Sequence, residues 1–344
     1  LVSSSAASDV YKRQILNSGT IKDPAGNNAN LILPTPGQSG SLSSTKNFII
    51  DTVAPTISIS AKNSNGSVVN DGAVTNNDSL LITFTLSEAA SNFTSSDISI
   101  SGGQLSSFTA TSSTIYTAIF KPSSAGETTI DVATNAFTDG AGNNNIASSQ
   151  FNWSYDNVAP TISISAKNSN GSVVNDGAVT NNDSLLITFT LSEAASNFTS
   201  SDISISGGQL SSFTATSSTI YTAIFKPSSA GETTIDVATN AFTDGAGNNN
   251  IASSQFNWSY DNVAPTISSV NLLSDNSAIE ILLSETAFSQ NNGSGLLEIS
   301  DFQFSIVGGT ATLTSNNPTS LNKNGNTYTL TIGLSGTPAV SYTH

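Results

Sequence analysis

Carboxylate and amide side chains recur at fixed spacing in this chain, and oxygen donors of this kind suit a hard cation. The segment Asp139-Gly140-Ala141-Gly142-Asn143-Asn144-Asn145 places them in a glycine-containing loop that recurs at 244–250. Since Ca²⁺ takes about six to eight oxygen ligands in relaxed geometry, these loops predict calcium ligands at Asp139, Asn143, Asp244 and Asn248. The alternative is a turn without a metal, because Gly and Asn both tolerate positive φ.

A second set of acidic residues lies at the start of each sequence unit. Asp51, Asp156 and Asp261 each open an Asp-x-Val-Ala-Pro-Thr segment. A carboxylate there can meet Glu88 or Glu193 and backbone carbonyls of a neighbouring loop, which would form another calcium site. The alternative is that the aspartate only ends a strand and the following proline begins the next one without a hydrogen-bond donor.

Catalytic chemistry has few candidate residues in this chain. It contains no cysteine and one histidine, His344, which lies in a terminal segment that we interpret below as foreign. A Ser-His-Asp triad, a cysteine nucleophile and an ordinary zinc site are therefore excluded from the rest of the sequence. We assign no catalytic residue and expect a protein that is not an enzyme.

These acidic residues recur because the sequence is a tandem repeat. Residues 51–155 and 156–260 agree at every position except Thr52 and Asn157. Residues 15–50 look like the C-terminal part of another copy, since Asp23-Pro24-Ala25-Gly26-Asn27-Asn28 echoes 139–144, and 261–339 look like a truncated, divergent copy. We expect the chain to be a fragment of a longer array in which each repeat has neighbouring repeats as partners.

Both ends of the chain resemble translated sequencing adapter. Residues 4–14 (SSAASDVYKRQ) and 340–344 (VSYTH) carry the resemblance. We therefore interpret 1–14 and 340–344 as adapter-derived artefacts that carry no information on the fold.

Period-two alternation predicts that the repeats are built of half-buried β-strands. Ile57, Ile59 and Ala61 share one face, and 80–86 alternate in the same way. Seven short strands separated by Gly, Asn and Ser clusters predict an antiparallel β-sandwich, with at most a short helical turn within 88–96. The predicted strands are 56–61, 80–86, 97–101, 105–111, 115–121, 128–132 and 150–155.

Composition limits the partners and the compartment. The formal net charge of −15 disfavours nucleic acid and anionic membrane surfaces, which bind clustered Lys and Arg. No apolar run approaches the length of a membrane span, so we expect no membrane insertion in this fragment. The absence of cysteine excludes a disulfide scaffold.

Aromatic residues allow carbohydrate binding as a rival function. Trp153 and Trp258 alternate in phase with neighbouring aromatic residues, and the first partial copy has Phe48 at this position. Phenylalanine has no polar group, so a core anchor is favoured over a sugar platform. Tyr116 and Tyr221 lie in phase with core positions and are also predicted to point inward. The charged residues Lys62, Lys121, Glu127 and Asp131 are predicted to be solvated.

The order of short motifs in each repeat resembles the bacterial Ig-like repeats of large surface proteins and giant adhesins. The motifs are Asp-x-Val-Ala-Pro-Thr, then Leu86-Ser87-Glu88-Ala89-Ala90, Gly102-Gly103, Tyr116-Thr117-Ala118 and Asp139-Gly140-Ala141-Gly142-Asn143. The resemblance implies tandem Ig-like sandwiches at the bacterial cell surface or secreted by type I machinery, with calcium in or between domains. It strengthens the assignment of metal sites at the junctions, including Asp261.

From this resemblance we expect a stalk or adhesive repeat region that extends a distal binding domain. Any glycan or protein receptor would be bound through domains outside the fragment. The alternative is an ancillary or carbohydrate-binding module of a secreted polysaccharide-active enzyme. The unit 261–339 departs from the pattern, since 20 residues separate Pro265 from Glu285 where 33 separate Pro55 from Glu88. Transfer of a site to it is therefore the weakest expectation.

Overall fold

Alternating buried and exposed side chains define the strands of the computed structural model, as the period-two pattern predicts. The structure describes residues 20–30, 32, 34–35, 37–41, 44, 50–289, 295–307 and 311–335. The predicted adapter segments 1–14 and 340–344, and the predicted equivalent of Trp153 at Phe48, lie outside these residues. The regular elements from residue 51 onward are strands and three short 3-10 turns, which confirms the all-β fold class.

The first complete repeat contains nine strands. The predicted helical turn is a single 3-10 turn, Ser95–Asp97. The strands are β1 (Ile57–Lys62), β2 (Val68–Val69), β3 (Ala73–Thr75), β4 (Leu80–Leu86), β5 (Ile98–Ser101), β6 (Gly103–Ala110), β7 (Ile115–Pro122), β8 (Gly126–Val132) and β9 (Phe151–Tyr155).

Two sheets form the sandwich of this repeat. One has five strands in the order β2-β1-β4-β7-β6, and the other has four in the order β3-β9-β8-β5. The short strands β2 and β3 were not predicted, because two or three residues are too few to show a period. The pairing of β3 with β9 is parallel, which differs from the purely antiparallel sandwich expected from the sequence.

The core lies between the two sheets and is rich in aromatic side chains. Trp153 is only 1% exposed, and its ring meets that of Phe120 edge-on with centroids 4.6 Å apart. Trp258 and Phe225 repeat this contact at 4.7 Å. The prediction that both tryptophans are core anchors is confirmed, and Tyr116 and Tyr221 are likewise buried.

A glycine pair lets the chain pass from β5 to β6. Gly102 has a φ of +77°, in the left-handed region that favours glycine. A Cβ atom on Gly103 would lie 2.4 Å from the Phe120 ring. Both positions therefore exclude a side chain.

The second repeat has the same elements 105 residues later. Its two sheets have the orders β11-β10-β13-β16-β15 and β12-β18-β17-β14, and its 3-10 turn is Ser200–Asp202. The strands are β10 (Ile162–Lys167), β11 (Val173–Val174), β12 (Ala178–Thr180), β13 (Leu185–Leu191), β14 (Ile203–Ser206), β15 (Gly208–Ala215), β16 (Ile220–Pro227), β17 (Gly231–Val237) and β18 (Phe256–Tyr260).

The third unit is smaller in its described part. Four strands form one sheet in the order β19-β20-β23-β22, β21 pairs with β24, and a 3-10 turn spans Ile299–Asp301. The strands are β19 (Ile267–Leu272), β20 (Ala278–Leu283), β21 (Thr312–Leu313), β22 (Ser320–Asn324), β23 (Thr327–Thr331) and β24 (Leu334–Ser335).

Candidate metal centre

Asp51 lies in the segment that leads into β1. Its Oδ1 accepts a hydrogen bond of 3.0 Å from the Val53 amide, which forms a local turn of the kind that Asp side chains favour. Further along, the Thr56 amide donates to the Ser87 hydroxyl and the Ser87 amide donates to the Thr56 carbonyl, both at 2.9 Å. This reciprocal pair fixes the end of β4, and hence Glu88, beside the start of β1.

Asp139 is held by its own loop. Its Oδ1 accepts hydrogen bonds from the amides of Ala141 and Asn143 at 2.8 and 2.9 Å, and its Oδ2 accepts one from Asn143 Nδ2 at 2.8 Å. The same Nδ2 donates to the backbone carbonyl of Asp51 at 3.1 Å. Asn143 therefore connects the loop to the segment before β1.

Core packing brings this loop to Glu88. Ala90 and Asp139 form an isolated antiparallel bridge, and the Ser91 hydroxyl donates to the Asp139 carbonyl at 3.0 Å. Directly beside this bridge, the buried rings of Phe93 and Phe137 lie 5.0 Å apart. The site is thus fixed by the hydrophobic core as well as by hydrogen bonds.

The three carboxylates form one group. Asp51, Glu88 and Asp139 each place a carboxylate oxygen within 4.8 Å of the others. They line a cleft of about 380 Å³ together with Ala89, Gly140 and Ala141. Asp139 is 4% exposed, whereas Asp51 and Glu88 are half-buried.

The electrostatics of Glu88 and Asp139 differ in direction. Partial burial, and then the charges of Asp51 and Asp139, raise the pKa of Glu88 above its ordinary value. The side-chain hydrogen bond from Asn143, supported by loop amides, lowers the pKa of Asp139. These hydrogen bonds favour the ionised form of Asp139, whereas partial burial and the neighbouring carboxylates disfavour the ionised form of Glu88.

This arrangement can hold a metal ion. All three side chains supply carboxylate oxygen, a ligand that suits hard cations rather than soft metals. Each Asp139 oxygen already accepts at least one N–H bond, but an ionised carboxylate retains further lone pairs. Three carboxylates and solvent can together reach the coordination number of a hard cation. Such an ion would also neutralise the like charges that raise the pKa of Glu88.

The loop and junction residues, which the sequence treats as two candidate sites, are one site in the structure. In the second repeat, Asp156, Glu193 and Asp244 also place carboxylate oxygens within 4.8 Å of one another. Asn248 Nδ2 donates to the Asp156 carbonyl at 3.0 Å, as Asn143 does to Asp51. The structure thus shows the amide nitrogen of Asn143 in use, and ligation through an amide oxygen of Asn143 or Asn248 stays a prediction.

Asp261 is not gathered into such a group. Its Oδ1 accepts the Val263 amide at 3.0 Å, so the turn of Asp51 is reproduced. The two groups above are the acidic clusters found within the described residues, and neither includes Asp261. Its role as a metal ligand remains a prediction.

Asn145 is a structural residue that the sequence did not single out. It is buried, its Oδ1 accepts the amides of Ala136 and Phe137, and its Nδ2 donates to the carbonyls of Ala133 and Ile146. Its oxygen therefore satisfies backbone donors inside the domain. Asn250 makes the same four contacts in the second repeat.

The partial copy at the start of the chain shows that the loop conformation is local. Asp23 accepts the amides of Ala25 and Asn27 at 3.0 and 2.9 Å and Asn27 Nδ2 at 2.9 Å. The hydrogen bond from the Asn27 side chain lowers the pKa of Asp23, as Asn143 does for Asp139. Within the described residues, no acidic group of three contains Asp23. The Asp-x-Ala-Gly-Asn turn therefore forms without a cluster of carboxylates.

Comparison with known families assigns the repeats. A model of the bacterial Ig-like domain matches residues 51–155 and 156–260, which together make up more than half of the chain. The chain belongs to the bacterial Ig-like domain family. This result confirms the family resemblance noted in the sequence. No curated protein sequence matches the chain.

Solved structures are similar to this chain only at low sequence identity and low TM-score. The adhesin FdeC of Escherichia coli is 14% identical with a TM-score of 0.36, over 83% of this chain and 89% of that one. InvD of Yersinia pseudotuberculosis is 15% identical with a TM-score of 0.30, over 69% and 70%. Invasin, a bacterial integrin-binding protein, is 12% identical with a TM-score of 0.30, over 81% and 54%. These likenesses are weak, and the function proposed below does not depend on them.

Among the residues that the structure describes, no helix combines the length and the apolar character that crossing a bilayer requires.

Proposed function

We propose that this chain is a repeat region of a bacterial extracellular or cell-surface protein, in which Ig-like domains act as a non-enzymatic stalk for a distal adhesive domain. The carrying observation is the near-identity of two complete Ig-like domains in tandem. A repeated domain multiplies length without adding a new chemical function. Only residues 156–161 connect β9 to β10, and this connection contains Pro160 and no glycine or serine, a composition that limits flexibility.

Calcium is the second part of the proposal. Asp51, Glu88 and Asp139, with Asp156, Glu193 and Asp244, are the proposed ligands. Asp51 belongs to the segment that enters the domain, whereas Glu88 and Asp139 belong to the body of the domain. A cation shared by the three would fix the entering chain to the domain, and it would reduce repulsion in an acidic protein.

Carbohydrate binding by stacking receives no support from the tryptophans. Trp153 and Trp258 are enclosed in the cores, so neither offers a ring face to a sugar. We therefore place recognition of any receptor in domains other than these repeats.

Small-angle X-ray scattering of the chain tests the stalk. We expect a pair-distance distribution with the long tail of domains joined in line. When millimolar Ca²⁺ replaces a chelator, we expect the scattering to show less flexibility between the domains. A short, symmetric distribution under both conditions would contradict the stalk.

Thermal unfolding tests the metal separately. A ligand that binds only the folded state stabilises it, by about 2.7 kcal/mol at a hundredfold excess over Kd. We expect Ca²⁺ to raise the melting temperature of the native chain and to have little effect on the double variant Asp139→Asn/Asp244→Asn. The matched control Asp78→Asn/Asp183→Asn, at exposed turn positions, should respond like the native chain. An equal calcium response in all three proteins would exclude these ligands.

A further inference from the structure

Charge is segregated between the two faces of each Ig-like sandwich. The first repeat contains two lysines, Lys62 and Lys121, and eight acidic residues. Both lysines are exposed and lie on the outer face of the five-stranded sheet, in β1 and β7. None of the acidic residues lies in a strand of that sheet. The outer surface of this sheet, called the lysine face here, is therefore positive in a strongly acidic protein.

The lysine face is hydroxyl-rich and partly apolar. The strand register places one side chain from each of the five strands in a row. Within that row Val68 is 64% and Leu81 39% exposed. This row consists of Val68, Lys62, Leu81, Ile119 and Ser106. The neighbouring row on the same face consists of Ser60, Thr83, Thr117 and Thr109.

The opposite face of the same repeat is acidic. Thr128, Ile130 and Val132 of β8 point into the core, so Glu127 and Asp131 point outward from the four-stranded sheet. Glu127 pairs across the sheet with Ser154, and Ser154 with the exposed Val74. This outer surface is called the acidic face.

The charges on the two faces have matching spacing. Lys62 and Lys121 lie two strands and two residues apart in register, which corresponds to about 12 Å between their Cα atoms in a regular sheet. Glu127 and Asp131 are four residues apart on one strand, or about 13 Å. Two lysines of one face can therefore meet two carboxylates of the other at the same time.

We propose that copies of this chain associate side by side, with the lysine face of a repeat in one copy against the acidic face of a repeat in another. The contact is heterologous, because two different surfaces meet, and it leaves a free face of each kind to continue the assembly. The second repeat carries the same faces through Lys167, Lys226, Glu232 and Asp236. The occupant is a second copy because the complementary surface, with the right sign and spacing of charge, is present on the chain itself.

One repeat alone offers a small surface. Four strands of six to eight residues and the two-residue strand β2 cover about 400–500 Å², compared with about 800 Å² per partner in a standard interface. A single contact is therefore weak and sensitive to salt. Linked repeats strengthen it wherever two contacts form together, because the second is then intramolecular. Association should rise steeply with the number of repeats.

Sedimentation velocity of the whole chain in a chelator tests this association without calcium bridging. We expect concentration-dependent association at low ionic strength that about 0.5 M NaCl abolishes. The variant Lys62→Glu/Lys121→Glu/Lys167→Glu/Lys226→Glu and the variant Glu127→Lys/Asp131→Lys/Glu232→Lys/Asp236→Lys should each raise the apparent dissociation constant about tenfold or more. An equimolar mixture of the two variants should associate again, because it restores opposite charges.

A matched pair of variants separates the effect of the acidic face on association from the effect of net charge. Glu127→Lys/Glu232→Lys changes the acidic face, whereas Asp78→Lys/Asp183→Lys makes the same charge change in exposed turns. Only the first should weaken association. The proposal is overturned if the native chain is monomeric at low salt, if both pairs weaken association equally, or if the chain stays monomeric while its lysine face captures an anionic polysaccharide. Circular dichroism of each variant checks that the fold is retained.

Discussion

The first repeat and the third unit begin in the same way and then differ. Asp51 and Asp261 each accept an amide hydrogen bond of 3.0 Å from the valine two residues later. Thr266 and Ser284 form the reciprocal pair that Thr56 and Ser87 form in the repeat. In the repeat, a distant loop adds Asp139 to the acidic group, whereas no group of three acidic residues within the described part of the chain contains Asp261. The entry turn is therefore encoded locally, whereas the acidic group depends on packing of residues far apart in sequence.

The cores of these two regions differ as well. In the repeat, Trp153, Phe120 and their neighbours are enclosed between two sheets. In the described part of the third unit, Tyr328 and Leu330 are buried, but Ile267 is 61% and Val270 44% exposed. In the repeat, a buried core accompanies the acidic group. We infer that this core is required to hold the three carboxylates together.

The largest expected effect comes from removing the core anchor of the repeat. Trp153→Ala should destabilise the first repeat by about 3–5 kcal/mol, through lost burial and the cavity left behind. The exposed Val74→Ala serves as control and should change stability by less than about 0.5 kcal/mol. Denaturant unfolding followed by circular dichroism measures both. A cost for Trp153→Ala as small as for the control would contradict the enclosed core.

An intermediate effect should follow from disconnecting the loop. Asn145→Ala leaves the amides of Ala136 and Phe137 without their buried acceptor, which should cost about 2 kcal/mol. The exposed neighbour Asn144→Ala is the matched control. Hydrogen exchange at residues 136–143 should accelerate only in Asn145→Ala. Unchanged protection there would show that Phe137 and the local turn hold the loop without Asn145.

The smallest expected effect is a dependence of stability on pH that belongs to the acidic group. Since the folded-state pKa of Glu88 is raised, the folded repeat binds more protons than the unfolded chain between the two pKa values. The stability from this group is present below the ordinary pKa of a glutamate and is lost as pH rises through the raised value. The lowered pKa of Asp139 acts oppositely, with its contribution lost as pH falls.

Calorimetry in a chelator can isolate the Glu88 contribution. The double variant Glu88→Gln/Glu193→Gln should lose less stability than the native chain when pH rises from mildly acidic to neutral. Glu285→Gln is the control in the third unit, where Glu285 belongs to neither acidic group. Parallel pH profiles for all three proteins would mean that the carboxylates do not repel one another in solution.

Much of the fold follows from short-range pattern, and much of the site does not. The alternation of Leu80, Ile82 and Phe84 is enough to predict β4, because burial on one face imposes period two. The parallel pairing of β3 with β9 joins Ala73 to Trp153, and three residues carry no signal for it. The loop and junction acids could each be recognised, but their union in one site depends on the Ala90–Asp139 bridge.

Amide orientation also lies beyond the sequence. Asn143 and Asn145 carry the same side chain in the same loop, and the sequence predicted only Asn143 as a ligand. The structure uses Asn145 to satisfy buried backbone groups and the nitrogen of Asn143 to join Asp139 to the Asp51 carbonyl. Which atom faces a cation follows only from these hydrogen bonds.

Isothermal titration calorimetry of Ca²⁺ into the chelator-treated chain tests the central claim most directly. We predict two bound ions per chain, one in each complete repeat and none in the third unit. Asp139→Asn should reduce the number to one and Asp139→Asn/Asp244→Asn to none. An absence of binding to the native chain, or a stoichiometry that these substitutions leave unchanged, would contradict a calcium site made by Asp51, Glu88 and Asp139.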